Sequence, residues 1–150
     1  MRFMPQSLAN VIIHAVFSTK NRSPTIVGEV RPRLHEYVGG ILRGMECPPI
    51  QVGGVEDHIH VLLRLSRTLT VAQTIEKVKT SSSKWMKGSV PEFAWQNGYG
   101  VFSLSQDDLD AAISYVQRQA EHHKVHSFQD EFRTLMREFG LEIDERYVWD

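Results

Sequence analysis

Cysteine is nearly absent from this chain: Cys47 is the one thiol in 150 residues. A lone thiol closes no intrachain disulfide. None is needed, because a chain this long buries about 70% of its unfolded surface and can hold a packed core without a disulfide or metal staple. Long apolar runs are missing as well. The longest, residues 11–17, contains a histidine and is far too short to span a bilayer, and the start, MRFMPQSLAN, lacks the apolar stretch of a secretory signal. The expectation is a reduced, cytoplasmic, soluble protein. Excess charge of either sign is lacking too. There are 17 Lys and Arg against 18 Asp and Glu, with seven histidines uncounted, which excludes a uniformly basic nucleic-acid coat but not local basic patches. At 41% hydrophobic and 23% charged, the composition excludes disorder and collagen-like repeats. No linker or repeat divides the chain, so residues 1–150 are expected to form a single domain.

Patterning supplies the elements. Residues 10–18 (NVIIHAVFS) are apolar on both alternate sets, as in a central strand covered on two sides, and residues 19–24 follow as a polar loop. Leu34, Tyr37, Val38, Ile41 and Leu42 repeat at helical spacing over 29–43, with Gly44 as the stop. Residues 50–55 and 58–65 read as two strands of a hairpin joined at Glu56-Asp57, and 70–87 as an amphipathic helix. A strand is expected over 95–105. Ser105 with Asp108 resembles a capping box that would open a helix running to about residue 123. A last amphipathic helix over 127–139 aligns Phe128, Phe132, Leu135, Met136 and Phe139, and residues 141–150 carry no assignable pattern. The order is β-α-β-β-α-β plus two C-terminal helices. It predicts an α+β, ferredoxin-like (RRM-like) antiparallel sheet with helices on one face.

Within that frame, strand alternation puts His58 and His60 on one face and an apolar row of Ile59, Val61, Leu63 and Leu65 on the other. The histidine face is expected to be exposed, where two imidazoles can converge on a cation. An isolated His-x-His is more often a pair of ordinary histidines. Histidine-triad hydrolases need a third histidine where Leu62 stands, and the two-histidine phosphoesterases need His-x-Thr or His-x-Ser motifs that are missing after His60. On the helix beginning near residue 107, Tyr115, Gln119 and His122 share a flank beside the apolar stripe. Alone, Tyr115 reads as packing. With His58 and His60, the Gln119 amide oxygen can complete a mixed N/O set suited to Mg²⁺ or Mn²⁺, near the Tyr115 hydroxyl.

His58-Ile59-His60 preceded by Gly53-Gly54, the strand Trp95-Gln96-x-Gly98-Tyr99-Gly100-x-Phe102-Ser103, and Tyr115-x-x-x-Gln119-x-x-His122-His123 together resemble the single-tyrosine HUH transposases of small bacterial insertion sequences, over nearly the whole chain. The resemblance implies cleavage and rejoining of single-stranded DNA at hairpin-marked element ends. Tyr115 would be the nucleophile, giving a 5′-phosphotyrosine link and a free 3′-OH. His58, His60 and Gln119 would hold the divalent metal, and the protein would be a homodimer, an assembly in which the tyrosine helix of one subunit can complete the partner's site. Arg64, Arg67, Lys77, Lys84 and Lys87 are candidate phosphate contacts and Tyr99 a candidate stacking surface, each against the plainer reading of a solvated or packed side chain. His122 is a possible auxiliary in proton transfer; His14 reads better as a core histidine with a satisfied hydrogen bond. Two other functions compete: a domesticated hairpin-processing nickase with the same residues, and a non-catalytic ferredoxin-like nucleic-acid-binding module. The latter leaves the His, Tyr and Gln side chains without a joint purpose.

Overall fold

The computed structural model describes residues 5–150. Its elements in chain order are β1 (Ile12–Ser18), α1 (Val30–Gly44), β2 (Pro49–Gly54), β3 (His58–Arg64), α2 (Val71–Met86), β4 (Gly100–Leu104), α3 (Leu109–Gln117), α4 (Gln119–His122) and α5 (Phe128–Glu138). The strands form one antiparallel sheet in the order β2-β3-β1-β4. This is the expected ferredoxin-like arrangement.

Each face of the sheet carries its own core. On one face, Ile13, Ala15 and Phe17 of β1 and Ile59, Val61 and Leu63 of β3 pack with Leu34, Val38 and Leu42 of α1 and Ile75, Val78 and Met86 of α2. On the other, Val16 and Phe102 pack against Phe128, Phe132, Leu135 and Met136 of α5. The histidine face, expected to be exposed, is therefore covered: His58 and His60 are both fully buried. The C-terminal helices supply the second layer. Residues 141–150, which carried no sequence pattern, add Ile143, Val148 and Trp149 to that layer, with the Trp149 ring edge-on to Phe132.

Three local expectations need correction. The strand expected over 95–105 is regular only from Gly100. Upstream, the carbonyls of Gln96, Asn97 and Gly98 accept hydrogen bonds from the Lys79 ammonium at 2.8, 3.2 and 2.7 Å instead of from a neighbouring strand. The Ser105 hydroxyl donates to the Asp108 carboxylate at 2.9 Å and caps no backbone N–H, so the chain enters α3 through a 3₁₀ turn over Gln106–Asp108. The helix to residue 123 is interrupted at Arg118, whose φ and ψ of −95° and 18° leave the helical region. By contrast, α2 opens with a full capping box between Thr70 and Gln73, and α5 with the Ser127 hydroxyl accepting from the Asp130 N–H.

Candidate active site

The site begins with two imidazoles whose orientations are set from behind. His58 Nδ1 lies 2.7 Å from Asp57 Oδ1, turning Nε2 inward to Gln119 Oε1 at 3.0 Å and Glu131 Oε1 at 3.2 Å. His60 Nδ1 meets His14 Nε2 at 2.7 Å, and its Nε2 lies 3.0 Å from Glu131 Oε1. His14 is thus the buried, hydrogen-bonded histidine expected, and its partner is His60 itself.

Tyr115 arrives on α3, which crosses the sheet at Gly53, the residue paired with His60 in the β2–β3 ladder. A Cβ at Gly53 would stand 2.6 Å from the Val116 carbonyl oxygen and 2.8 Å from Val116 Cγ1. Only a glycine lets the helix come this close. Its neighbour Tyr115 then sits with its ring centroid 5.6 Å from that of His60, and its hydroxyl donates to Glu131 Oε2. The amide of Gln119 donates to the same oxygen at 3.2 Å. Tyr115, Gln119, His58 and His60 therefore meet within one chain.

The centre of this gathering is a residue that sequence reasoning passed over. Glu131 Oε1 is within 3.2 Å of Nε2 of His58, His60 and His123, while Oε2 faces Tyr115, Gln119 and, at 3.3 Å, His122 Nε2. A signal was available. Glu131 is three residues past Phe128 and four before Leu135, so it interrupts the apolar stripe of α5 with a charge.

The electrostatics follow from burial around one carboxylate. Burial alone would raise the Glu131 pKa, but hydrogen bonds from His123, His58 and His60 hold it well below the usual carboxylate range. Burial likewise opposes charge on His58, yet Asp57 and Glu131 outweigh it and raise the imidazole to about 9. His14 and His60 lack enough such support; burial pushes both down, His14 to about 3. Burial and the Glu131 charge push the Tyr115 phenol above its ordinary value.

This donor set fits a divalent cation. Ligand atoms on a cation with bonds of about 2.1 Å stand about 3 Å from their neighbours, and the His58–Gln119, His58–Glu131 and His60–Glu131 separations are 3.0–3.2 Å. Nδ1 of His58 faces a carboxylate, which leaves the Nε2 lone pair of the neutral ring aimed at two oxygen acceptors. A proton on His58 relieves that repulsion in the metal-free protein, and a cation would do so with more charge.

The candidate DNA contacts are spread more widely. Arg64 sits at the end of β3 on the histidine face and donates to the Asn10 side chain; Arg67 is exposed in the following turn. Lys77 and Lys84 are exposed on α2 and Lys87 just past its end, across the sheet from the imidazoles, and Lys87 donates to the Phe93 carbonyl. Tyr99 is partly exposed, with the Lys79 ammonium 5.3 Å from its ring centroid. Trp95 is core, its indole N–H bonded to Ser82 Oγ. His122 lines the cleft beside Tyr115 and Glu131.

Residues 7–119 match the family model described as transposase, IS200 like. This chain belongs to the IS200-like transposase family. The matched span takes in His58, His60, Tyr115 and Gln119 and stops short of His123 and Glu131. Two solved structures resemble this transposase in fold. One is a protein from Deinococcus radiodurans R1 described provisionally as a transposase (TM-score 0.63, 19% identity, 79% of this chain and 98% of that one). The other is a REP-associated tyrosine transposase bound to a REP hairpin (TM-score 0.61, 10% identity, 82% of this chain and 74% of that one). No curated protein matches the sequence. Among the described residues of this transposase, no helix is long and apolar enough to cross a membrane.

Proposed function

We propose that this transposase cleaves and rejoins single-stranded DNA at hairpin-marked element ends through a 5′-phosphotyrosine on Tyr115, with a divalent cation, Mg²⁺ or Mn²⁺, held by His58, His60 and Gln119. The observation that carries the proposal is the meeting of the Tyr115 hydroxyl with both imidazoles and the Gln119 amide around one buried carboxylate. A bound cation would polarise the scissile phosphate and stabilise the leaving 3′-oxygen.

The chain's own groups then divide the work. Tyr115 Oη attacks phosphorus and loses its proton, the P–O3′ bond breaks, and the fragment carrying the 5′-phosphate stays on the protein while the leaving 3′-oxygen takes up a proton and departs as a 3′-OH. Until then the phenol proton rests in a hydrogen bond to Glu131 Oε2, and with its pKa raised the tyrosine stays protonated before substrate arrives. Asp57 and His14 fix the two imidazoles from behind. Later attack by a 3′-OH on the phosphotyrosine reseals the strand with no external energy source, since one phosphodiester replaces another. Arg64, on the site's face of the sheet, is the best-placed candidate for the strand leading away, and Arg67, Lys77, Lys84, Lys87 and Tyr99 are candidates for the flanking hairpin.

The test offers hairpin-bearing single-stranded oligonucleotides with Mg²⁺ or Mn²⁺ and follows a denaturation-resistant protein–DNA adduct. The expected result is an adduct that vanishes in Tyr115→Phe and falls at least a hundredfold in His58→Ala, His60→Ala or EDTA. An adduct surviving Tyr115→Phe, or DNA binding with no covalent product under any metal condition, overturns the proposal; the second result is that of a non-catalytic binding module.

A further inference from the structure

We propose that Glu131 and His123 are two further ligands of the cation, binding through Glu131 Oε1 and His123 Nε2 beside His58. This rests on the cation site proposed above and enlarges it. Ligand atoms of His58, His123 and Glu131 all lie within 4.8 Å of one another, with His123 Nε2 and His58 Nε2 respectively 3.1 and 3.2 Å from Glu131 Oε1. His123 is oriented in the way metal-bound histidines are: its Nδ1 donates to the His126 carbonyl at 2.6 Å, which fixes the ring with Nε2 facing Glu131.

Charge balance points the same way. His58, His60 and Gln119 are neutral ligands, and a divalent charge in a buried site with neutral ligands alone is poorly compensated. One carboxylate halves that charge and leaves the remainder for a phosphodiester. The cleft beside Tyr115 is lined by Asp130, Glu131 and Glu138, so without a cation an incoming phosphate would meet only repulsion from them. Packing offers Glu131 no other reason to be buried, since every neighbouring stripe position of α5 is apolar and a carboxylate there costs desolvation. Glu131 Oε2 meanwhile stays on the Tyr115 hydroxyl, so this side chain spans from cation to nucleophile.

The test uses full-length protein stripped of metal and titrated with Mn²⁺ in the absence of DNA, free Mn²⁺ being read from its paramagnetic resonance signal. Glu131→Gln keeps the shape of the side chain, and His123→Ala removes a ring at the edge of the core. Each is expected to weaken Mn²⁺ binding tenfold or more with an unchanged far-ultraviolet circular dichroism spectrum. Should Glu131→Gln fail to fold, His123→Ala carries the measurement alone. Binding within twofold of wild type, or tighter, in the folded variants overturns the inference. If His58→Ala loses Mn²⁺ in that same experiment, the smaller site stands and Glu131 merely covers it. If wild-type protein takes up no Mn²⁺, the metal site and this extension of it both fail.

Discussion

Ionisable side chains that enter a core must settle their charge against the protein around them, and His35 does so far from the candidate site. It lies on α1, across the sheet from the imidazole cluster, and its Nε2 is buried with no hydrogen-bond partner. Burial, helped by the neighbouring Arg31 charge, lowers its pKa to about 4. The folded protein therefore needs this ring neutral. Its contribution to stability is complete above the unfolded value of about 6.5 and is lost as the pH falls from there toward 4, because the unfolded chain then binds the extra proton. The expected slope is about 1.4 kcal/mol per pH unit for one proton taken up. Urea unfolding at pH 7 and pH 5 should show wild type losing more stability than His35→Gln, by about 1 kcal/mol or more. Equal losses would show that His35 titrates the same way folded and unfolded. Glu131 is the opposite case: a buried charge kept because imidazoles face it from several sides.

At the scale of elements, the α3–sheet crossing decides where the nucleophile stands. Gly53 is in the β2 strand and Val116 in α3 directly over it, with a Cβ blocked by the Val116 backbone carbonyl at 2.6 Å. Backbone cannot rotate away as a side chain could, so Gly53→Ala must lift α3 and with it Tyr115. The expected cost is about 1–3 kcal/mol of stability, read from the urea midpoint, and a drop of tenfold or more in adduct yield. Wild-type yield in a destabilised Gly53→Ala protein would mean that the helix position does not set the reaction.

The same elements show what was legible in the chain. Strand alternation at 58–65 and helical spacing at 29–43 and 70–87 survive because packing on the first core follows the local period. The Gly-Gly before His58, read only as part of a motif, turns out to have a steric reason. What failed depended on distant partners. Lys79 draws the carbonyls of 96–98 out of the ladder, and the expected exposure of His58 assumed that nothing returned to cover that face. Glu131 went unnoticed because its stripe was read for its apolar members, while its partners lie between 8 and 73 positions away along the chain.

On the scale of the whole molecule, the site is closed by the far end of the chain. Phe128, Phe132, Leu135 and Met136 seat α5 on Val16 and Phe102, and that seating brings Glu131 under the imidazoles. Trp149 then covers Phe132 from outside, with the Arg133 guanidinium 5.1 Å from its indole centroid. Every element of the candidate site thus belongs to one protomer, and Tyr115 reaches the imidazoles of its own chain without exchange of a helix. A homodimer built from such protomers would carry two complete sites. Mixing Tyr115→Phe with His58→Ala tests this directly. If each site is made by one chain, every site in the mixture lacks either its nucleophile or an imidazole, and the adduct yield should equal the sum of the separate variants. If the tyrosine helix crossed between subunits, mixed dimers would pair an intact Tyr115 with an intact His58, and about a quarter of all sites would recover in an equal, fully exchanged mixture. Recovery to that level would show that the arrangement within one chain is exchanged for a crossed one on dimerisation.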